Sequence, residues 1–176
     1  MKIILLSGKA RNGKDTTALM LKEIYEKDNK KVIILSYSFY LKEYAKKISN
    51  WDGKEENKPR DLLQQLGTEI IRNNIDELFF VKRMIEDIKV YSYYFDIIII
   101  SDVRLKNEIV WIKSSFENVY PIRIIRPNFN NGLSEEQKRH ITEVDLDDYD
   151  FKYKIVNDKT LVELNKKVEE LVEVLK

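Results

Sequence analysis

Four short apolar runs, Ile3 to Leu6, Val32 to Leu35, Ile97 to Ile100 and Ile122 to Ile125, and a weaker fifth at Tyr153 to Val156, interrupt a chain otherwise rich in charge. The runs are mostly β-branched and scarcely alternate with polar residues, the pattern of strands buried on both faces of a parallel sheet. Between them, apolar residues recur at helical spacing near 14–28, 60–90, 105–115 and 160–175, most clearly at Leu161, Leu164, Val168, Leu171, Val172 and Leu175. Strands and helices in alternation predict an open α/β fold, a five-stranded parallel sheet with helices on both faces. No repeat or low-complexity stretch is visible.

Two connections exceed a simple crossover. About sixty residues separate the second and third strands, broken at Trp51-Asp-Gly-Lys-Glu-Glu-Asn-Lys-Pro59 and helical afterwards; the fourth strand is followed by Pro127 to Ser134 and then Glu135 to Asp148. Both leave from carboxyl ends of strands, the edge at which such sheets bind ligands, and long excursions in a compact domain serve as lids or binding loops. A single domain is expected over 1–176, with a core of 1–38, 91–126 and 149–176, an excursion at 39–90 and a lid-like segment at 127–148.

Lys and Arg total 31 against 30 Asp and Glu, a formal charge of +1, so a broad basic face for nucleic acid is not expected. The absence of cysteine excludes disulfides and thiolate chemistry, and a single histidine excludes a His-rich metal site. The first strand begins at residue 2 and the apolar runs are far shorter than a membrane span, so a soluble, cytoplasmic protein without signal peptide or membrane partner is expected. Lysine is the generic cation here, which draws attention to the few arginines. Arg11, Arg60, Arg72, Arg104, Arg126 and Arg139 fall in or beside loops and motifs where a planar fork can grip a phosphate, or else stand solvated.

The most specific chemistry lies between the first strand and the first helix, where Gly8-Lys9-Ala10-Arg11-Asn12-Gly13-Lys14-Asp15-Thr16 reads as a phosphate-binding loop. Its glycines permit a tight turn with inward-facing N–H groups, the helix start adds positive partial charge, and Lys14 reaches the β- and γ-phosphates. Residues Gly8 to Thr17 are thus the candidate ATP site; the bland alternative is a helix cap on a Gly-rich turn. Asp15 stands where Ser or Thr usually follows the lysine. Asp15 and Thr16 are therefore both candidate Mg2+ ligands, with first-turn dipole stabilisation the alternative for Asp15.

Ile97-Ile-Ile-Ile-Ser-Asp102-Val-Arg104 ends a buried strand with an acid and then a base. Asp102 can hold the metal through water and Arg104 can face a phosphate; alternatively Asp102 caps the next helix and Arg104 pairs with Glu108 on the surface. The metal role requires this strand to lie next to the one feeding the loop. Arg60 to Asn73 reads as a helix with Leu62, Leu63, Leu66, Ile70 and Ile71 on its core face, and Gly67 within it signals close approach of a ligand or a neighbouring helix. Gln64, Glu69 and Arg72 are candidates for an acceptor pocket, while Trp51 and Trp111 are expected to pack. Arg139-His140-Ile-Thr-Glu143 is weak on chemistry alone.

Taken together, G-K-A-R-N-G-K-D-T, R-D-L-L-Q-Q-L-G-T-E-I-I-R-N, I-I-S-D-V-R-L-K-N-E, H-I-T-E and D-D-Y-D-F-K-Y-K-I-V-N-D resemble, in order, the deoxynucleoside monophosphate kinases of bacteriophages and their bacterial relatives. Thr142 departs from the usual H-x-S-E pattern but keeps a hydroxyl. The resemblance implies a P-loop NTPase three-layer fold with a monophosphate-binding excursion at 39–90 and a lid. It implies ATP as donor with Mg2+, a nucleoside monophosphate as acceptor, and subunits paired in a homodimer. By that analogy Lys14, Arg104 and Arg139 are catalytic, Gln64, Glu69, Arg72, Arg104, His140 and Glu143 bind the acceptor, and Arg126 and Arg139 belong to the lid. The Lys-Asp loop with an S-D-x-R strand end is also similar to animal phosphomevalonate kinases. A kinase for another phosphorylated metabolite, or a P-loop ATPase or switch, therefore stays open at this point.

Overall fold

The computed structural model describes residues 1–175. Five parallel strands, β1 (Lys2–Ser7), β2 (Val32–Leu35), β3 (Ile97–Val103), β4 (Val119–Ile125) and β5 (Tyr153–Val156), form one sheet in the order β2-β3-β1-β4-β5. The strand that ends at Asp102 is therefore the neighbour of the strand that feeds the loop, as the metal role requires. Lys2 to Leu5 pair with Ile97 to Ile100, and the register then shifts so that Ser7 faces Val103. The irregularity lies beside the loop, and such bulges re-aim the residues around them.

Eight α-helices accompany the sheet among the described residues: α1 (Lys14–Lys27), α2 (Ser38–Ser49), α3 (Arg60–Gln64), α4 (Phe79–Tyr91), α5 (Lys106–Ser115), α6 (Glu135–Arg139), α7 (Ile141–Val144) and α8 (Leu161–Val174). The side chains of each strand alternate between two cores. Ile4, Leu6, Ile97, Ile99, Ile122 and Ile124 pack against α1 and α8, whereas Ile3, Leu5, Ile98 and Ile100 face α4 and α5. This is why the runs show no polar alternation: both faces are dry. A third cluster of Ala45, Trp51, Leu63 and Leu66 lies in the excursion, where Trp51 Nε1 donates to the Lys54 carbonyl at 2.9 Å.

The excursion differs from expectation in three ways. Ser38–Ser49 is a helix that the apolar pattern did not single out. The helical stretch over 60–90 is not one helix: α3 runs into a π-helical segment, Gln65–Ile75, and the chain turns before α4. In i→i+5 winding, residues five apart share a face, so Leu66 and Ile71 are buried together while Ile70, expected in the core, is 39% exposed. Trp111, expected to pack, is 45% exposed on α5.

Candidate active site

The loop after β1 is shaped by close contacts that only glycine allows. A Cβ on Gly8 would sit 2.6 Å from the Ile124 carbonyl oxygen; Gly13 has φ +97 and leaves 2.6 Å to Asn157 Nδ2. Asn12 Nδ2 donates to the Ile124 carbonyl at 3.3 Å and Asn157 Nδ2 donates to the Asn12 carbonyl at 3.0 Å, tying the loop to the ends of β4 and β5. Lys14 is buried, and its Nζ donates to the carbonyls of Gly8 at 2.8 Å and Lys9 at 3.0 Å. Burial, reinforced by the nearby charge of Arg104 and opposed by Glu143, Asp15 and Asp102, lowers the Lys14 pKa to about 7. An anion bound at this place would favour the charged ammonium.

Within the loop the hydroxyls divide. Thr17 Oγ1 donates to the Gly13 carbonyl at 2.9 Å, whereas Asp15 and Thr16 have no side-chain hydrogen bond among the described residues. Both line a cavity of about 370 Å³ with Arg11, Arg126, Asn157 and Lys159. Arg126 lies 3.8 Å over the Phe129 ring, and Arg11 Nη1 donates to the Asn131 carbonyl at 3.0 Å.

A cleft of about 590 Å³ opens on the other side of the loop, bringing together Lys14, Asp15, Asp102, Arg104, Gln64, Arg72, His140 and Glu143. Four separate stretches of chain supply these residues. A groove of about 790 Å³ lies on the far side of Arg72, but neither Lys14 nor Arg104 lines it, so it is not where the loop's chemistry occurs.

Carboxylates order the cations of the cleft. Glu143 pairs with Arg104 through one oxygen and accepts the Ala10 N–H at 3.0 Å through the other, joining α7, β3 and the loop. Asp102 caps a helix, but that helix is α2 and not the next one: its oxygens accept the N–H groups of Tyr37 at 2.8 Å and Ser38 at 3.0 Å. Arg104 does not pair with Glu108 on the surface. The Glu108 side chain is 1% exposed, accepts the backbone N–H groups of Arg104 at 2.7 Å and Leu105 at 3.1 Å, and faces Arg72 Nη2 at 3.4 Å. Burial raises the Glu108 pKa to about 7, against the pull of the Arg72 guanidinium and the Arg104 N–H, and the charge of Asp102 adds to the rise.

His140 connects the lid-like segment with the excursion. Its Nδ1 lies 2.9 Å from Thr142 Oγ1 and its Nε2 lies 3.5 Å from Thr68 Oγ1. Burial, followed by the charge of Arg72, lowers its pKa and so favours the neutral ring. Gly67 answers its sequence signal by close packing: a Cβ would meet Leu41 Cδ2 at 3.1 Å, and its carbonyl accepts from Arg72 Nη1 at 2.9 Å, one π turn onward.

Three candidates stand apart from the cleft. Glu69 and Arg139 are exposed and line none of it, and Arg126 belongs to the smaller cavity instead. Arg60 reaches only the rim, where it pairs with Glu55 at 2.6 Å. Glu108 is the residue that sequence reasoning undervalued. Its signal was partial: Glu108 stands three places after the residue preceding the helix, as in a capping box, but Leu105 lacks the side-chain oxygen that completes one. Asp147, which binds Lys9 Nζ at 2.8 Å and Arg123 at 2.9 Å, and Asp145, which accepts the Lys106 N–H at 2.6 Å, had no such signal.

Several solved structures similar to this chain are kinases. The APS kinase of Mycobacterium tuberculosis, solved with AMPPNP and APS, superposes with a TM-score of 0.59 at 10% identity over 98% of this chain and 97% of that one. A sugar kinase from Janibacter sp. gives 0.60 at 11% identity, covering 99% and 95%, and a gluconokinase from Sinorhizobium meliloti 1021 gives 0.55 at 10%, covering 99% and 95%. At such identities the likeness shows the fold, that of the P-loop kinases. The deoxynucleotide monophosphate kinase of Enterobacteria phage T4 is 32% identical over 117 residues, 66% of this chain and 46% of that protein. This chain thus spans about half the length of the curated relative it matches. Residues 25–168 match the family described as deoxynucleotide monophosphate kinase, and the chain belongs to that family.

Proposed function

We propose that this chain transfers the γ-phosphoryl group of ATP to a deoxynucleoside monophosphate, giving ADP and the deoxynucleoside diphosphate. The observation that carries the reading is one cleft in which the loop lysine, Lys14, meets Arg104 and Arg72 from separate elements. An acceptor phosphate has its second pKa near 6 and is mostly a dianion at pH 7, so its oxygen attacks the γ-phosphorus without a general base while the bond to the β-phosphate oxygen breaks. Catalysis then consists of holding two anions in line and stabilising charge on the group in transit. Lys14 and the loop amides hold the donor, Arg104 and Arg72 grip the acceptor, and Gln64 with His140 borders its pocket.

The smaller cavity suits the rest of the donor, with Arg126 and Asn157 beside the loop. Mg2+ would neutralise phosphate charge in such a reaction; Asp15 and Thr16, whose side-chain oxygens line the loop's cavity, would suit a hard cation, and Asp102 would retain lone pairs for one of its waters. Among the described residues no three His, Cys, Asp or Glu are grouped for a metal, in keeping with an ion held mainly by phosphates and water. Residues 127–148 are the lid of this reading, and Arg139, exposed on α6, would reach the cleft only through a movement of that helix.

Family membership counts against a phosphomevalonate-type kinase and against a nucleotide-dependent switch. The test is ATP consumption against a panel of ribo- and deoxynucleoside monophosphates with phosphomevalonate included. Stoichiometric deoxynucleoside diphosphate is expected; ATP hydrolysis without any diphosphate product, or transfer to phosphomevalonate alone, would overturn the proposal.

A further inference from the structure

We propose that Glu108 is a positioning residue for the acceptor: its buried carboxylate sets the Arg72 guanidinium and the Arg104–Leu105 backbone so that two arginines from different elements converge on one phosphate. The inference rests on the reading of Arg72 and Arg104 as acceptor ligands.

A carboxylate that is 1% exposed is costly unless its oxygens are satisfied and its charge is matched. Glu108 divides these two tasks. One oxygen accepts the N–H groups of Arg104 at 2.7 Å and Leu105 at 3.1 Å, fixing the backbone from which the Arg104 side chain departs. The other faces Arg72 Nη2 at 3.4 Å. Arg72 is held on two further sides, by the Gly67 carbonyl at 2.9 Å from Nη1 and by the Phe80 ring 4.9 Å from its guanidinium carbon. A guanidinium carries five N–H donors in a fixed fork, and these contacts use two of them, leaving three for a ligand.

The surrounding contacts make Glu108 a junction and not a plain helix cap. The Tyr37 hydroxyl donates to the Glu108 carbonyl at 3.3 Å, and the Tyr37 N–H donates to Asp102 at 2.8 Å, so the ends of β3, α2, α5 and the π-helical segment meet here. A cap needs only an acceptor atom, which glutamine also offers. Only the role toward Arg72 needs the charge. Glu108→Gln therefore preserves size and amide acceptance while removing what orders the guanidinium, and a merely structural role predicts no change in substrate use.

The experiment compares Glu108→Gln, Glu108→Asp and Arg72→Lys in the full chain at pH 8, above the Glu108 pKa of about 7, by steady-state kinetics with each substrate varied and ATP affinity measured by calorimetry. Glu108→Gln is expected to raise the acceptor KM at least about tenfold, with the ATP Kd within about twofold of the parent. Arg72→Lys should raise the same KM, since lysine cannot reproduce the fork. An unchanged acceptor KM in a folded Glu108→Gln, whatever its Tm, overturns the inference. If Arg72→Lys still raises the KM, the acceptor reading survives that result; if Arg72→Lys is silent as well, the reading falls with the inference. Should the glutamine variant not fold, Glu108→Asp decides: it keeps the charge but draws it back by one methylene, and a KM like the parent's overturns the proposal, while a rise at constant ATP Kd supports it.

Discussion

On the proposed reading, the donor and acceptor walls of the cleft are built on opposite principles. The donor wall is one contiguous stretch, Gly8 to Thr17, whose ligands are backbone amides aimed by glycine turns and a helix start. The acceptor wall is assembled from β3, the π-helical segment, α5 and α7, and its ligands are long side chains held by carboxylates: Arg104 by Glu143 and Arg72 by Glu108. A backbone cradle needs little beyond its own turn geometry. A side-chain cradle needs a supporting layer, because an arginine that wags loses its fork geometry and with it the discrimination of one phosphate position from another.

The sharpest way to break this contrast is to remove the one side chain on which the donor wall does depend. Lys14→Met should lower turnover by about 10²–10³-fold or more while circular dichroism stays native, since it deletes a charged donor to the transferring group and leaves the amides in place. Turnover retained in a folded variant would mean that the backbone alone suffices. Next in size is Arg104→Lys, which keeps the charge and loses the fork. A drop in kcat/KM for the acceptor of at least about tenfold with an unchanged ATP Kd is expected, because a hydrogen bond to a charged group contributes about 1.5–3 kcal/mol. Equal losses toward both substrates would show that Arg104 serves the donor as well.

Glu143 touches both walls, through Arg104 and the Ala10 N–H. Its removal tests whether they are independent. Glu143→Gln retains an acceptor for Ala10 but releases Arg104, so a smaller effect confined to the acceptor, about three- to tenfold in KM, is expected. A comparable rise in the KM for ATP would show that the loop takes its shape from α7 and is not self-sufficient.

The same contrast explains what was legible in the sequence. The donor wall could be read because its residues are adjacent and its context, strand then glycine turn then helix, is local. The sheet could be read because dry strands are uninterrupted runs, and the neighbouring of β3 and β1 followed from the need to bring Asp102 to the loop. Asp102 itself turned out to hold the start of α2, a contact between residues more than sixty positions apart that no spacing reveals. Ile70 misled because the 3.6-residue period fails in i→i+5 winding. Glu108 misled for a different reason: four residues from Arg104, it suggested a side-chain pair on a helix surface, when the bond is to the Arg104 backbone and the charge faces Arg72.

The smallest expected effect concerns stability and asks whether the acceptor wall carries its supporting charge at rest. Burial places the Glu108 pKa at about 7 in the folded chain against 4.5 for an unperturbed glutamate. Between those values the folded state holds a proton that the unfolded state has released, so stability falls as pH rises. The contribution is fully present below about 4.5 and is lost as pH rises through about 7. Glu108→Gln has no such titration, and the other titrating groups, Lys14 among them, are common to both proteins and cancel in the difference. The Tm of the variant minus that of the parent should therefore increase from pH 5 to pH 8, each kcal/mol of linkage appearing as about 2–4 °C in a chain of this size. A difference that stays flat over the range would mean that Arg72 and the two amides outweigh burial, keeping Glu108 charged throughout and the arginine fork set even in mildly acidic solution.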